Sequence, residues 1–181
     1  MVKARARVSF LVIALLAVWN GGPSRAQDYP QRQVTIVVPF GAGGSVDIVG
    51  RMIAQKLSER LGKPFIVENR PGAGTATATL AVSKSPPDGH TLLLAPSGTY
   101  AINPTLYKQL AYDPIKDLSH VALITHDPLV LVVNPSLPVN SVADLVKLAK
   151  EQPGKLSFAG TGPGTSLTLL GELLKLSLIH I

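Results

Sequence analysis

Two hydrophobic periods alternate along the chain. Val34-Thr-Ile-Val-Val38 is a short β-branched run closed by Pro39, the pattern of a buried strand. From Ser45 to Leu61 the apolar residues Ile48, Val49, Met52, Ile53 and Leu57 recur at helical spacing, with Arg51, Gln55, Lys56 and Glu59 between them. The spacing predicts an amphipathic helix with that apolar stripe on the core. Gly62 is placed to end the helix in a left-handed turn, and Pro64 prevents its continuation. The alternation then repeats, with a strand over 65–67, a helix over about 75–82, a turn at Pro86-Pro87-Asp88-Gly89 and a strand over 91–95. After a loop-rich stretch over 103–116, strands are expected over 121–125 and 129–133, interrupted at Asp127-Pro128. A helix over 142–150 follows, capped by Ser141 and ended by Pro153-Gly154; then come a strand over 156–159 and a helix from near Thr165.

Strand and helix in turn, with short connections, predict an α/β fold built on mainly parallel sheet. The loops that leave parallel strands gather at one sheet edge, where open α/β sheets bind ligands. Four of these loops are rich in Gly, Ser and Thr: 39–46, 70–75, 96–99 and 160–166. The first joins a strand to a helix N-terminus. Its backbone N–H groups lack helical partners and sit in the positive end of the helix dipole, a cradle for an anion.

Composition changes the picture at the ends. Lys3, Arg5 and Arg7 precede an uncharged apolar run over 8–19, Gly21-Gly22-Pro23 breaks it, and Ser24-Arg25-Ala26 is a small-x-small site. Residues 1–26 therefore read as a cleaved secretory signal, and the mature chain as exported. The run would rise about 18 Å as a helix, short of a bilayer's apolar core. That segment carries four of the 17 basic residues and none of the 11 acids, which leaves 13 basic residues and a net charge of +2. No basic run remains to suggest nucleic-acid binding. There is no cysteine, so an oxidising compartment poses no mispairing problem. Leu176-Ser-Leu-Ile-His-Ile181 has no helix stop signal and matches one reading frame of a sequencing adapter, so residues 176–181 are expected to be a non-native tail on a shortened chain.

Catalytic patterns fail one by one. A dinucleotide fingerprint needs a third glycine where Val46 stands, although Glu68 lies at a suitable distance. The phosphate-loop lysine is absent. Gly43-Gly-Ser45-Val-Asp47 and Gly164-Thr-Ser166-Leu-Thr168 both lack the last glycine of a serine-hydrolase elbow. His120 and His126 are not at a metal-ligand spacing and read as surface or hydrogen-bonded histidines. Glu68 and Arg70 read as a simple ion pair or as turn residues at a strand end, and Asp47 as a first-turn acid facing the helix dipole. The glycine loops could also be plain connections. What remains at the expected cleft is a set of donors: backbone amides, hydroxyls and Asn69. Such a set recognises carboxylates without transforming them. Neither a cofactor nor a metal is expected.

Eight motifs, in order, carry a family resemblance. They are Tyr29-Pro30, Val38-Pro-Phe-Gly-Ala-Gly-Gly-Ser-Val-Asp47, Val67-Glu-Asn-Arg-Pro-Gly-Ala-Gly74, Pro87-Asp-Gly-His-Thr-Leu-Leu-Leu94, Ile102-Asn-Pro-Thr-Leu-Tyr107, Tyr112-Asp-Pro-Ile-Lys-Asp117, Pro153-Gly-Lys-Leu156 and Gly171-Glu172. Over about 29–175 the chain resembles the periplasmic solute receptors of tripartite tricarboxylate transporters, the Bug-type binding proteins. The resemblance implies a periplasmic-binding-protein-like fold of two α/β lobes that clamp a small organic carboxylate for membrane permease subunits. It also implies a monomer about twice this length. Lobe one would span 27–125; lobe two would start at 126 and be incomplete. Carried over residue by residue, Phe40, Ala42, Gly43, Gly44 and Asp47 would line the first side of the cleft. Ser97 and Thr99 would face it from the third strand, and Gly162, Gly164, Thr165 and Ser166 would grip the ligand from lobe two. Two positions depart from the family: Thr168 stands where many relatives have histidine, and Pro163 where a polar residue is common. A secreted α/β hydrolase acting on a carboxylate is the alternative.

Overall fold

The computed structural model describes residues 28–179. The expected signal segment and the last two residues of the expected tail lie outside that range. Strand β1, Val34–Val38, leads through the glycine loop into helix α1, Ser45–Leu61. Strand β2, Phe65–Asn69, a 3-10 turn over Ala73–Thr75 and helix α2, Ala76–Ser83, come next. Strand β3, Thr91–Leu93, is followed by two single turns of helix, α3 at Gly98–Ala101 and α4 at Asn103–Leu106. Helix α5, Val142–Glu151, and helix α6, Ser166–Ile179, complete the order. All of these lie in the second of two compact units, Arg32–Ile181.

The sheet is parallel, in the order β2-β1-β3. Val34 pairs with Phe65 and Thr35 with Thr91, so Val34, Ile36, Phe65, Val67, Leu92 and Leu94 share one face. That face packs on Ile53, Ala54 and Leu57 of α1. Val34, Val37 and Val38 are fully buried, each contributing about 1.5–3 kcal/mol relative to an exposed side chain. Gly62 ends α1 as the left-handed residue, φ 69°, its N–H donating to the Ser58 carbonyl.

Helix α1 differs from expectation in which face it buries. Asp47, Gly50 and Ala54 lie inward, while Ile48 is exposed and Met52 is 63% exposed. The cause is close approach. A Cβ on Gly50 would stand 3.3 Å from both Leu94 Cδ2 and Val38 Cγ2, so the small residue brings the helix down on the sheet and fixes its rotation.

The strands expected over 121–125, 129–133 and 156–159 do not form. Residues 118–133 make no backbone–backbone hydrogen bond among the described residues. Val121 is 87% exposed and Val132 79%. A strand exists only through its ladder, and β-branched sequence without a neighbouring strand stays extended but unpaired. Helix α5 forms as expected because its start is local. Asp144 N–H donates to Ser141 Oγ at 3.1 Å, and Asp144 Oδ2 accepts from Asn140 N–H, also at 3.1 Å.

Candidate functional site

Because the sheet is parallel, the loops leaving β1, β2 and β3 emerge at one edge. At the first loop, Gly44 caps α1 with its backbone alone and Gly43 turns with φ 89°. The first intrahelical bond runs from Ile48 N–H to the Gly44 carbonyl. The amides of Ser45, Val46 and Asp47 have no acceptor among the described residues. Ala42, Gly43 and Gly44 are exposed and Phe40 is half-buried. A Cβ on Gly44 would meet nothing nearer than the Gly41 carbonyl at 3.9 Å, so space lies open over this helix end.

Asp47 does not face that space. It is 2% exposed, and its carboxylate is saturated from beneath the loop. Oδ2 accepts from Gly43 N–H at 2.9 Å and from Arg51 Nε at 3.0 Å; Oδ1 accepts from Arg51 Nη2 at 3.0 Å and from Asn69 Nδ2 at 2.9 Å. Asn69 Nδ2 also donates to the Phe40 carbonyl. The Arg51 guanidinium first, then the Gly43 amide and Asn69, hold the Asp47 carboxyl far below the usual carboxylate range. Two consequences follow for the expected residues. Gly43 N–H is spent inside the loop rather than offered outward, and the Asp47 side chain braces the loop from beneath, leaving only its backbone amide at the open helix end. Its charge is offset by Arg51, so an incoming anion does not meet an unpaired negative group.

A second cluster gathers the other loops. Residues 72–75 all have positive φ, including the non-glycines Ala73 at 45° and Thr75 at 83°. A β-branched residue there is strained, by about 1–3 kcal/mol, and needs outside support. Support comes from a buried polar network. Thr75 Oγ1 lies 2.8 Å from Thr99 Oγ1; Asn103 Nδ2 donates to the Gly74 carbonyl at 2.9 Å, to Thr75 Oγ1 and to Tyr112 Oη. Tyr112 Oη donates to the Thr99 carbonyl. Thr99, expected at the cleft, is fully buried in this network, whereas Ser97 is exposed. On the 160–166 loop, Thr165 caps α6: its Oγ1 accepts from Thr168 N–H at 3.4 Å and donates to the Gly162 carbonyl at 2.9 Å. Thr168 Oγ1 donates to the same carbonyl at 2.8 Å. Thr165 and Gly164 are buried; Gly162 and Ser166 are half-buried.

Histidine and acid chemistry is spread thin. Glu68 and Arg70 pair at 2.6 Å on the surface, the ion-pair alternative of the two expected. His120 lies 3.1 Å from the Pro114 carbonyl and edge-on to Tyr100, while His126 is exposed. Among the described residues no three His, Cys, Asp or Glu side chains could hold a metal ion. No helix there is long and apolar enough to cross a membrane. Sequence reasoning missed Arg51 as the partner of Asp47, although the i,i+4 spacing of opposite charges was a usable signal. It also missed the Thr75, Asn103 and Tyr112 network, for which no local pattern exists.

Comparison with known proteins extends the picture. The family described as tripartite tricarboxylate transporter family receptor matches residues 49–181. Protein BugT of Bordetella pertussis is 40% identical over 155 residues, which are 85% of this chain and 48% of BugT. Among solved structures, R. palustris Rpa4515 with adipate is 41% identical with a TM-score of 0.78, over 81% of this chain and 49% of that one. MatC (Rpa3494) from Rhodopseudomonas palustris with bound malate is 36% identical with a TM-score of 0.74, over 81% of this chain and 51% of that one. The periplasmic binding protein BugD is 34% identical with a TM-score of 0.69, over 83% and 50%. The chain thus spans about half the length of the relatives it matches. The family is one of receptors rather than enzymes, and its fold is that of periplasmic binding proteins. The chain belongs to the tripartite tricarboxylate transporter receptor family.

Proposed function

We propose that this chain is the carboxylate-capturing part of a periplasmic receptor. It would hold a small organic acid at the N-terminus of α1 and present it to the membrane permease of a tripartite tricarboxylate transporter. The carrying observation is the row of three unpartnered amides at Ser45, Val46 and Asp47, under open space, in a loop braced by the Asp47 carboxylate paired with Arg51. Amide donors to a carboxylate contribute about 1.5–3 kcal/mol each. The adipate and malate held by Rpa4515 and MatC support a dicarboxylate as the ligand class. The fold of the periplasmic relatives supports a lobe over 27–125 and a second beginning at 126, with the 160–166 loop on the far side of the ligand. Secretion through residues 1–26 and a monomeric state belong to the same proposal.

Gly44 gives the cleanest test. Gly44→Leu places a side chain in space that is empty in the folded protein, at an unstrained φ of −77°. Titration calorimetry with adipate and L-malate should show affinity lost by tenfold or more, with the thermal midpoint of the free protein unchanged. Equal affinity in the variant would count against the loop as the site. Turnover of either acid would favour a hydrolase instead.

A further inference from the structure

The 160–166 loop meets the sheet edge on bare backbone. The Pro163 carbonyl lies directly on Gly74, and a Cβ on Gly98 would stand 2.5 Å from the Gly164 carbonyl. Asn103 Oδ1 in turn lies against the Cα side of Gly164, where any Cβ would collide with it. Three glycines from three separate segments therefore make one seam. No hydrogen bond crosses it among the described residues. Asn103 is fully buried and spends its amide nitrogen on the Gly74 carbonyl, Thr75 and Tyr112. Its carbonyl oxygen has no partner and is aimed into the seam.

A contact made of carbonyls on Cα–H groups is individually weak and geometrically strict. It separates without stranding strong hydrogen bonds, yet a single methyl group keeps it from closing. The strained 72–75 turn fits this picture. Its consecutive positive φ values present the Gly74 backbone to Pro163, and the Asn103 bond to the Gly74 carbonyl fixes that turn from behind.

We propose that Gly74, Gly98 and Asn103 are positioning residues that set how closely the 160–166 loop docks on the sheet edge, through a reversible seam free of hydrogen bonds. For docking, the inference stands on the geometry alone; for ligand affinity it rests on the receptor reading above.

Gly98 allows the sharpest experiment, because it has ordinary helical geometry in α3 and an alanine there is unstrained apart from the clash. The chain has no cysteine, so spin labels attach only where placed. Labels at Lys84→Cys and Lys155→Cys, both at exposed positions, report the separation of the two sides. Gly98→Ala should move the main distance population outward or split it, and Gly98→Val should move it further. Ala101→Ser, an exposed change in the same helical turn, should leave it in place. Affinity for adipate and L-malate should fall by about tenfold with the undocked fraction. Unchanged distances in both Gly98 variants overturn the proposal. If the distances respond but neither acid binds the unsubstituted chain, the seam stands and the receptor reading falls.

Discussion

Residues 34–106 and residues 118–179 are both rich in apolar, β-branched sequence, yet only the first stretch builds a sheet. β1 lies between β2 and β3, and every second residue of the three strands is covered by α1. Val121, Leu123 and the run Leu129–Val133 have as much strand preference as Val34–Val38, and they lie exposed without a ladder. The difference is in neighbours, not propensity. A parallel strand takes its hydrogen bonds from segments distant in sequence, so an isolated strand-forming stretch has no local route to satisfy its backbone. Helices α5 and α6 form in the same stretch because their bonds are internal.

That contrast can be broken or sharpened by measurement, beginning with the largest expected effect. Amide exchange should separate the two regions by a factor of about a thousand or more, slow at Ile36 and Val37 and near the free-chain rate over 121–133. Protection over 121–133 would show that a ladder forms there after all. Next, Phe65→Ala, in the buried cluster with Val34 and Ala54, should cost about 3–5 kcal/mol in urea unfolding. Val130→Ala, on an exposed side chain, should stay within about 0.5 kcal/mol. Smaller again, Ser141→Ala removes the cap of α5 and should cost that helix about 1 kcal/mol, visible as faster exchange confined to its first turn.

The last effect concerns Asp47 and is read as a dependence on pH. Its folded-state pKa lies below the ordinary 3.8, so its contribution is present above that value and is lost as pH falls below it. The gap in urea midpoint between the parent chain and Asp47→Asn should be full at pH 7 and shrink below about pH 3.8. A gap that does not change with pH would mean that the paired charge is not what braces the loop.

Much of the first region was legible in the sequence. β1 and α1 carry their boundaries as expected because Pro39, Gly44, Gly62 and Pro64 act within a turn of themselves. The glycine loop was legible as a helix N-terminus whose backbone amides lack helical partners. Illegible was everything that depends on rotation or on distant partners. The inward turn of Asp47 follows from Asn69, which is 22 residues away. The burial of Thr99 follows from Thr75 and Tyr112. The exposure of Met52 follows from the fit of Gly50 against Leu94. Periodicity gave the helix but not its roll, and hydroxyl content gave candidates but not their direction.

The order of the strands has one more consequence. β1, the central member, leaves the ribosome first, and its two partners follow within 55 residues of Val38. The inner strand is thus made before either flank, and until Leu93 emerges one of its edges stays open to pairing with another chain. During synthesis, the hazard of misassembly falls in the interval between completing β1 and completing β3, well before the 160–166 loop has been translated.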